Sequence, residues 1–265
     1  MNRYVFDQEW QKERDRLAGI EFLFDGYSTQ CLAGLGVSEG WHCLEVGFGA
    51  GGVALWLAGQ VGSTGRVVAV DIDPRFLDGH GRSNLEVRKH DILTDPLEKA
   101  AFDLAHARAV LEHIPGRQRV LERMVSAVRP GGWLVVEAAY FGGVMGTVLT
   151  QFTDPPEYVP LYERVGRAVE AIFTAAGGDA TFGARLIRAF KDAGLVNIAA
   201  EARTHLVAGG TENWVPGTAE HLAEHLVSTG LVTVGDIESL LAMTADPSCH
   251  YAPSCMVTAW GQRPG

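Results

Sequence analysis

From residue 42 onward the apolar residues fall into short runs, each ending at a polar or glycine-rich step. Between the runs lie stretches with helical spacing. The runs predict strands over 43–46, 66–70, 85–89, 102–107 and 133–138, and the spacing predicts helices over 53–61 and 118–128. Pro130-Gly131-Gly132 marks a turn before the fifth run. Runs that are apolar at nearly every position suit strands buried on both faces. Strands separated by helical crossovers predict an α/β fold with a doubly wound, mostly parallel sheet.

The flanking regions follow other patterns. Residues 1–36 read as two helices, with Trp10, Leu17, Ile20 and Phe24 at helical spacing among charged positions. After residue 139 the rhythm changes, with helices predicted over 158–176, 183–193, 218–229 and 233–245 and strands over 196–202 and 255–260. The expected organisation is an N-terminal helical lid over 1–36 and a main domain over 37–265. Segments 140–182 and 209–252 read as cap insertions over the ligand end of the sheet. No repeat or linker divides the chain further.

The chemistry gathers at strand ends. Ligands of open parallel sheets bind beyond the carboxyl ends of the strands, where strand order reverses. The first strand runs into Glu45-Val46-Gly47-Phe48-Gly49-Ala50-Gly51, whose glycines allow a tight turn and close backbone approach to a ligand. Gly47, Gly49 and Gly52 also satisfy GxGxxG, with Asp71 at the distance of a dinucleotide enzyme's ribose acid. The glycines alone therefore suit any nucleotide. The carboxylate of Glu45 repels a pyrophosphate and suits a cationic ammonium. Asp71 ends the second strand, placed to accept from two ribose hydroxyls, and Asp91 ends the third, placed to accept from an adenine amino group. Asp73 and Arg75 read as turn and cap residues before the next helical segment.

Taken together, these residues resemble the class I S-adenosylmethionine-dependent methyltransferases, more closely their bacterial small-molecule branch, many of whose members act in natural-product pathways. The resemblance covers roughly residues 40–140. It rests on Leu44-Glu45-Val46-Gly47-Phe48-Gly49-Ala50-Gly51-Gly52, Asp71, His90-Asp91-Ile92, Phe102-Asp103-Leu104, Val110-Leu111-Glu112-His113 and Arg129-Pro130-Gly131-Gly132. It implies a seven-stranded sheet whose last strand is antiparallel. It also implies S-adenosylmethionine as cofactor, S-adenosylhomocysteine as product, and an O, N or C nucleophile on a small metabolite as methyl acceptor. The expected cofactor-binding set is Glu45, Gly47, Gly49, Gly51, Asp71, Ile72, Asp91, Ile92 and Arg108. The rival readings are a nicotinamide-dependent oxidoreductase and a repurposed S-adenosylmethionine-binding protein, either a cyclase or non-catalytic.

Methyl transfer from a sulfonium needs alignment above all, which supplies about 7–11 kcal/mol of the barrier; a general base serves a neutral hydroxyl or an unactivated carbon. His113, just after the fourth strand, is the candidate base, and packing against the next helix is the competing role. His205 and His250 are weaker candidates. His221-Leu222-Ala223-Glu224-His225 matches H-x-x-E-H but lacks a third ligand, so a solvated helix face is expected there and no metal site. Tyr4, Trp10, Phe24, Tyr27, Tyr140, Phe141, Phe152, Trp214 and Tyr251 offer aromatic surface for an aromatic or polycyclic substrate.

Composition narrows the partners. The 265 residues are 47% hydrophobic and carry a net charge of −10, without a basic cluster, which argues against nucleic acid. The charged N-terminus resembles no signal peptide, and the glycine-rich apolar stretches suit no membrane span. Four cysteines without a CxxC pair fit reduced thiols in a cytoplasmic protein. Self-association is left open by the sequence.

Overall fold

The computed structural model describes residues 12–265. Seven strands form one sheet: β1 (His42–Val46), β2 (Arg66–Asp71), β3 (Leu85–Lys89), β4 (Phe102–Arg108), β5 (Val128–Tyr140), β6 (Val196–Thr204) and β9 (Cys255–Gln262). Their order is β3-β2-β1-β4-β5-β9-β6, and only β9 runs against its neighbours. Strand order reverses between β1 and β4, which pair in parallel. The crevice that binds ligands in such sheets therefore opens beyond the ends of these two strands.

The sheet is covered on both faces, as its apolar runs require. Side chains alternate, so Leu44, Val46, Val68, Val70, Ala105, Ala107, Leu134 and Val136 enter one core. That core also holds Val120, Leu121 and Met124 of α3 (Arg117–Ala127) and Phe190 of α6 (Leu186–Asp192). Cys43, Val67, Ala69, Leu104 and Val135 enter the opposite core with Val53, Leu57 and Val61 of α2 (Gly52–Val61).

A third core is built mainly by helices and meets the sheet at Met256 of β9. It joins Leu23 and Phe24 of α1 (Glu13–Gly34) to Leu161, Val165 and Ala168 of α5 (Val159–Ala175). It also takes Ala219 of α7 (Val215–His221), Leu226 of α8 (Ala223–Ser228) and Leu240 of α9 (Val234–Ala245). Thr233 and Asp236 form a reciprocal capping box at the start of α9. A two-stranded sheet, β7 (Val207–Ala208) with β8 (His250–Tyr251), closes this region.

Several elements differ from expectation. Of the N-terminal region the described residues hold the 22-residue α1; the rest of the two-helix expectation, with Tyr4 and Trp10, lies outside them. The helix expected over 218–229 is split at Leu222 into α7 and α8. Pro130-Gly131-Gly132 lies inside β5, where Gly131 takes φ +77° and the pairing with β4 shifts register between Phe102 and Leu104. An additional helix, α4 (Gly143–Thr150), follows β5. Among the described residues no helix is long and apolar enough to cross a membrane.

Candidate active site

A cavity of about 590 Å³ lies beyond the carboxyl ends of β1 to β4, walled by the glycine loop, Asp71, His90 to Leu93 and Arg108 to Val110. Gly47, Gly49 and Gly51 take φ +69°, +57° and +104°, the left-handed region that favours glycine. A Cβ on Gly47 would stand 2.2 Å from Val110 Cγ2, so the loop passes β4's exit with no room for a side chain. α1 forms one wall of the cavity. Glu21 Oε1 accepts from the Gly52 amide at 2.7 Å, and Glu13, Arg16, Leu17 and Ile20 line the wall.

The structure brings the expected cofactor set together. Glu45, Gly47, Gly49, Asp71, Ile72, Asp91, Ile92 and Arg108 all line this cavity, and Gly51 lies behind it at the N-terminus of α2. Asp71 accepts from the amides of Gly49 at 3.3 Å and Asp73 at 3.0 Å. Burial pushes its carboxyl up to about 6, against the lowering effect of those amides. A half-buried carboxylate held by amides alone suits a pair of hydroxyl donors. Asp91 Oδ1 accepts from the Leu93 amide at 2.8 Å, which shapes the turn carrying Ile92 into the cavity. Asp73 Oδ1 accepts from the Arg75 amide at 3.4 Å, a capping contact.

Glu45 belongs to a polar row that the sequence reading did not assemble. Its Oε2 lies 2.7 Å from His106 Nδ1, and His106 Nε2 lies 2.8 Å from Glu137 Oε1. Glu137 Oε2 accepts from Thr258 Oγ1 at 3.0 Å. The row crosses β1, β4, β5 and β9 on the α2 side of the sheet and is buried throughout. Burial alone would lower the His106 pKa, but the flanking carboxylates raise it to about 9, so the imidazole is a cation. Burial also opposes charge on Glu137, yet hydrogen bonding and attraction from His106 hold its pKa low. Glu45 is pushed up by burial despite the same partner. Beside the row, Arg108 donates to Asp25 Oδ1 at 2.6 Å and Ser28 Oγ at 2.8 Å. Arg108 therefore ties β4 to α1 while its residue lines the cavity. His106 and Arg108 thus stand among the carboxyls of Glu45, Glu137 and Asp25, with Glu21 of α1 also close to Arg108.

A second cavity, about 190 Å³, adjoins the first, and Arg16, Ile20, Ala109 and His113 line both. Its walls are mainly apolar: Phe24, Phe141, Tyr162, Phe173, Trp214, Leu222, Leu240 and Met256. Of the expected aromatic residues, Phe24, Phe141 and Trp214 line it. Tyr251 is instead fully buried with its hydroxyl accepting from Asn213, Phe152 is 45% exposed, and Tyr27 stacks under Arg203. His113 stands at the junction with its ring 4.5 Å from Phe173. Burial, aided by Arg16, pushes its pKa down to about 3, so it is a neutral imidazole. His205 packs on Phe24 and Tyr27, and His250 pairs through its backbone with Asp154. His221 does not sit on a solvated face: its side chain is buried, 3.9 Å from Glu13 across to α1, whereas His225 is exposed on α8. Among the described residues no group of three or more His, Cys, Asp or Glu is placed to hold a metal.

Comparison with known proteins agrees with this geometry. Residues 44–136 match the methyltransferase domain family. A methyltransferase from Strobilurus tenacellus is 33% identical over 135 residues, which is 49% of this chain and 46% of that protein. A sterol 4-C-methyltransferase from Caenorhabditis elegans is 30% identical over 110 residues, 38% of this chain and 32% of that protein. The matched stretch thus spans less than half the length of either relative. Among solved structures, a Haemonchus contortus phospholethanolamine N-methyltransferase, in complex with phosphomonomethylethanolamine and S-adenosylhomocysteine, is similar in fold. The TM-score is 0.61 at 16% identity, covering 100% of this chain and 61% of that one. With its glycine loop, its strand-end acids and a seven-stranded sheet in which only β9 is reversed, the chain has the Rossmann-like fold of the class I S-adenosylmethionine-dependent methyltransferases and carries a methyltransferase domain over residues 44–136.

Proposed function

We propose that the protein transfers the methyl group of S-adenosylmethionine to an oxygen, nitrogen or carbon of a small metabolite, in a biosynthetic role of the natural-product type. The observation that carries this reading is the meeting of two unlike cavities at Arg16, Ile20, Ala109 and His113. One is ringed by glycines and carboxylates, and the other is apolar. The Caenorhabditis relative, named for a sterol, favours a ring-bearing acceptor.

The cofactor supplies a methyl carbon already activated by the positive charge on sulfur. The protein's work is then to bind, align and exclude water. Asp71 would take the ribose hydroxyls, Asp91 and the backbone of Ile92 the adenine, and Glu45 the ammonium, with Gly47, Gly49, Gly51 and Ile72 shaping the wall. Arg108 would act through its ion pair with Asp25, holding α1 over the bound cofactor. His113, neutral and wedged against Phe173, would shape the junction through which donor and acceptor meet.

Thermal unfolding with added ligands tests the reading. Saturable upward shifts are expected with S-adenosylmethionine and S-adenosylhomocysteine and none with NAD(H) or NADP(H). The reverse pattern would establish a nicotinamide enzyme and remove the methyl-transfer reading. Bound S-adenosylmethionine that never yields S-adenosylhomocysteine with any acceptor would instead indicate a repurposed member.

A further inference from the structure

Among the described residues, Glu112 is the one carboxylate of the second cavity whose side chain is wholly buried. It sits on the turn after β4, where its backbone oxygen accepts from the Asp179 amide at 2.8 Å. Its Oε1 accepts from the Ala139 amide at the end of β5, also at 2.8 Å. Its Oε2 has no hydrogen-bond partner among the described residues. Two further buried oxygens of the same cavity, Thr218 Oγ1 and Ser254 Oγ, also lack one. An unpaired buried acceptor is costly, so three around one apolar cavity mark places where a ligand brings donors.

We infer that the acceptor is an apolar, ring-bearing alcohol or phenol, and that Glu112 Oε2 receives the hydrogen of its reacting hydroxyl. This rests on the methyl-transfer reading and names the acceptor class within it. A carbon nucleophile offers Oε2 no comparable donor. An amine enters as an ammonium, whose desolvation in walls built from Phe24, Tyr162, Phe173 and Met256 is costly. A hydroxyl is neutral on entry and needs a base. When it reacts, the acceptor oxygen bonds the methyl carbon as that carbon's bond to sulfur breaks with its electron pair on sulfur, leaving S-adenosylhomocysteine; the O–H electron pair stays on the acceptor oxygen and the proton ends on Oε2.

The surroundings of Glu112 keep it available for that proton. Burial pushes its carboxyl up to about 7, only partly opposed by the Ala139 amide and by Arg117 of α3. Arg117 is itself engaged by the Gly177 carbonyl at 2.8 Å and stands 3.8 Å from Asp179. Neighbouring His113 is neutral. α5 brings Glu163, Arg167 and Glu170 to the same cavity, with Glu170 accepting from the Gly143 amide, and α1 brings Arg16. Of the two residues at the turn, Glu112 is therefore the base matched to neutral pH and His113 is not.

The test uses 2-naphthol and its methyl ether, 2-methoxynaphthalene, titrated calorimetrically into the full protein with S-adenosylhomocysteine present. Binding of S-adenosylhomocysteine in the same instrument checks the cofactor reading separately. A hydrogen bond to a charged acceptor predicts that the naphthol binds at least about tenfold more tightly than the ether. Glu112→Gln should abolish that preference, because its amide oxygen goes to the Ala139 N–H and leaves an N–H facing the ligand. Wild-type protein gives a second readout that needs no variant. Because the hydroxyl favours ionised Glu112, naphthol binding near pH 7 should release up to about half a proton, measured across buffers of different ionisation enthalpy. The ether should release none. No preference for the naphthol, an unchanged preference in Glu112→Gln, or equal proton release by both probes would overturn the assignment.

Discussion

The buried Glu112 carboxyl makes a prediction about stability that needs no ligand. Its pKa stands near 7 against an ordinary 4.5, chiefly because burial disfavours the charge. A folded-state pKa above the unfolded one contributes stability that is full below the unfolded value and lost as pH rises through the folded one. At about 1.4 kcal/mol per pH unit, the interval between 4.5 and 7 amounts to about 3 kcal/mol lost by alkaline pH. Glu112→Gln mimics the protonated acid in size and keeps an oxygen for the Ala139 amide. It carries no charge to desolvate. Its stability relative to wild type should therefore improve by about 2–3 kcal/mol between about pH 5 and about pH 9, with all other titrations cancelling in the difference. Urea unfolding of both proteins across that range, with equal denaturant slopes, measures it. A difference that stays flat with pH, or that moves against the variant as pH rises, would refute the burial argument.

Other consequences are as direct. Asp71→Ala should lower S-adenosylmethionine affinity at least about tenfold with the fold intact, because it removes a charged acceptor; calorimetric titration reads this. Gly47→Ala should cost at least about 2 kcal/mol in unfolding free energy, since it combines a left-handed φ with a Cβ 2.2 Å from Val110. Gly26→Ala, in the exposed middle of α1 with nothing within 4 Å of the new Cβ, should instead stabilise by about 0.5–1 kcal/mol in the same assay. His106→Gln should destabilise by about 3 kcal/mol or more at neutral pH, since it strands Glu45 and Glu137. His106 contributes fully below its ordinary 6.5 and loses its contribution as pH rises through about 9, so this penalty should shrink above that pH.

Strands β1, β2, β4 and β5 were legible because they are largely buried on both faces and read as apolar runs, whereas the edge strands β3 and β6 are half exposed and mixed in composition. Strands β1 to β4 were placed to within a residue. Asp71 was legible for a related reason, since a charge that ends an apolar run must stand at its solvent or ligand end. Helices outside the sheet were less so. α4 contains Gly143, Gly146, Thr147 and Val148, poor helix formers whose contrary tendency is overridden by packing on α5. α1 was read as amphipathic on one stripe, but it must satisfy two surfaces. Leu17 and Glu21 face the cofactor cavity, Phe24 faces the apolar one, and Ile20 and Arg16 serve both.

The missing half of the site has a single physical cause. Glu45, His106, Glu137 and Thr258 lie on four strands, and only register brings them into one row. Glu45 pairs with His106 and Glu137 with Thr258 across the sheet, while His106 and Glu137 are offset by two residues. A signal was present in the chain. Leu104, His106 and Arg108 share one face of β4, as Val135 and Glu137 do on β5, so each strand carries a polar residue at an inward position. Buried polar groups require partners, so two inward charges on adjacent strands already imply a third group between or beside them. Glu45 at the end of β1 is that group. Its carboxylate is therefore shared between an internal cation and the ligand cavity.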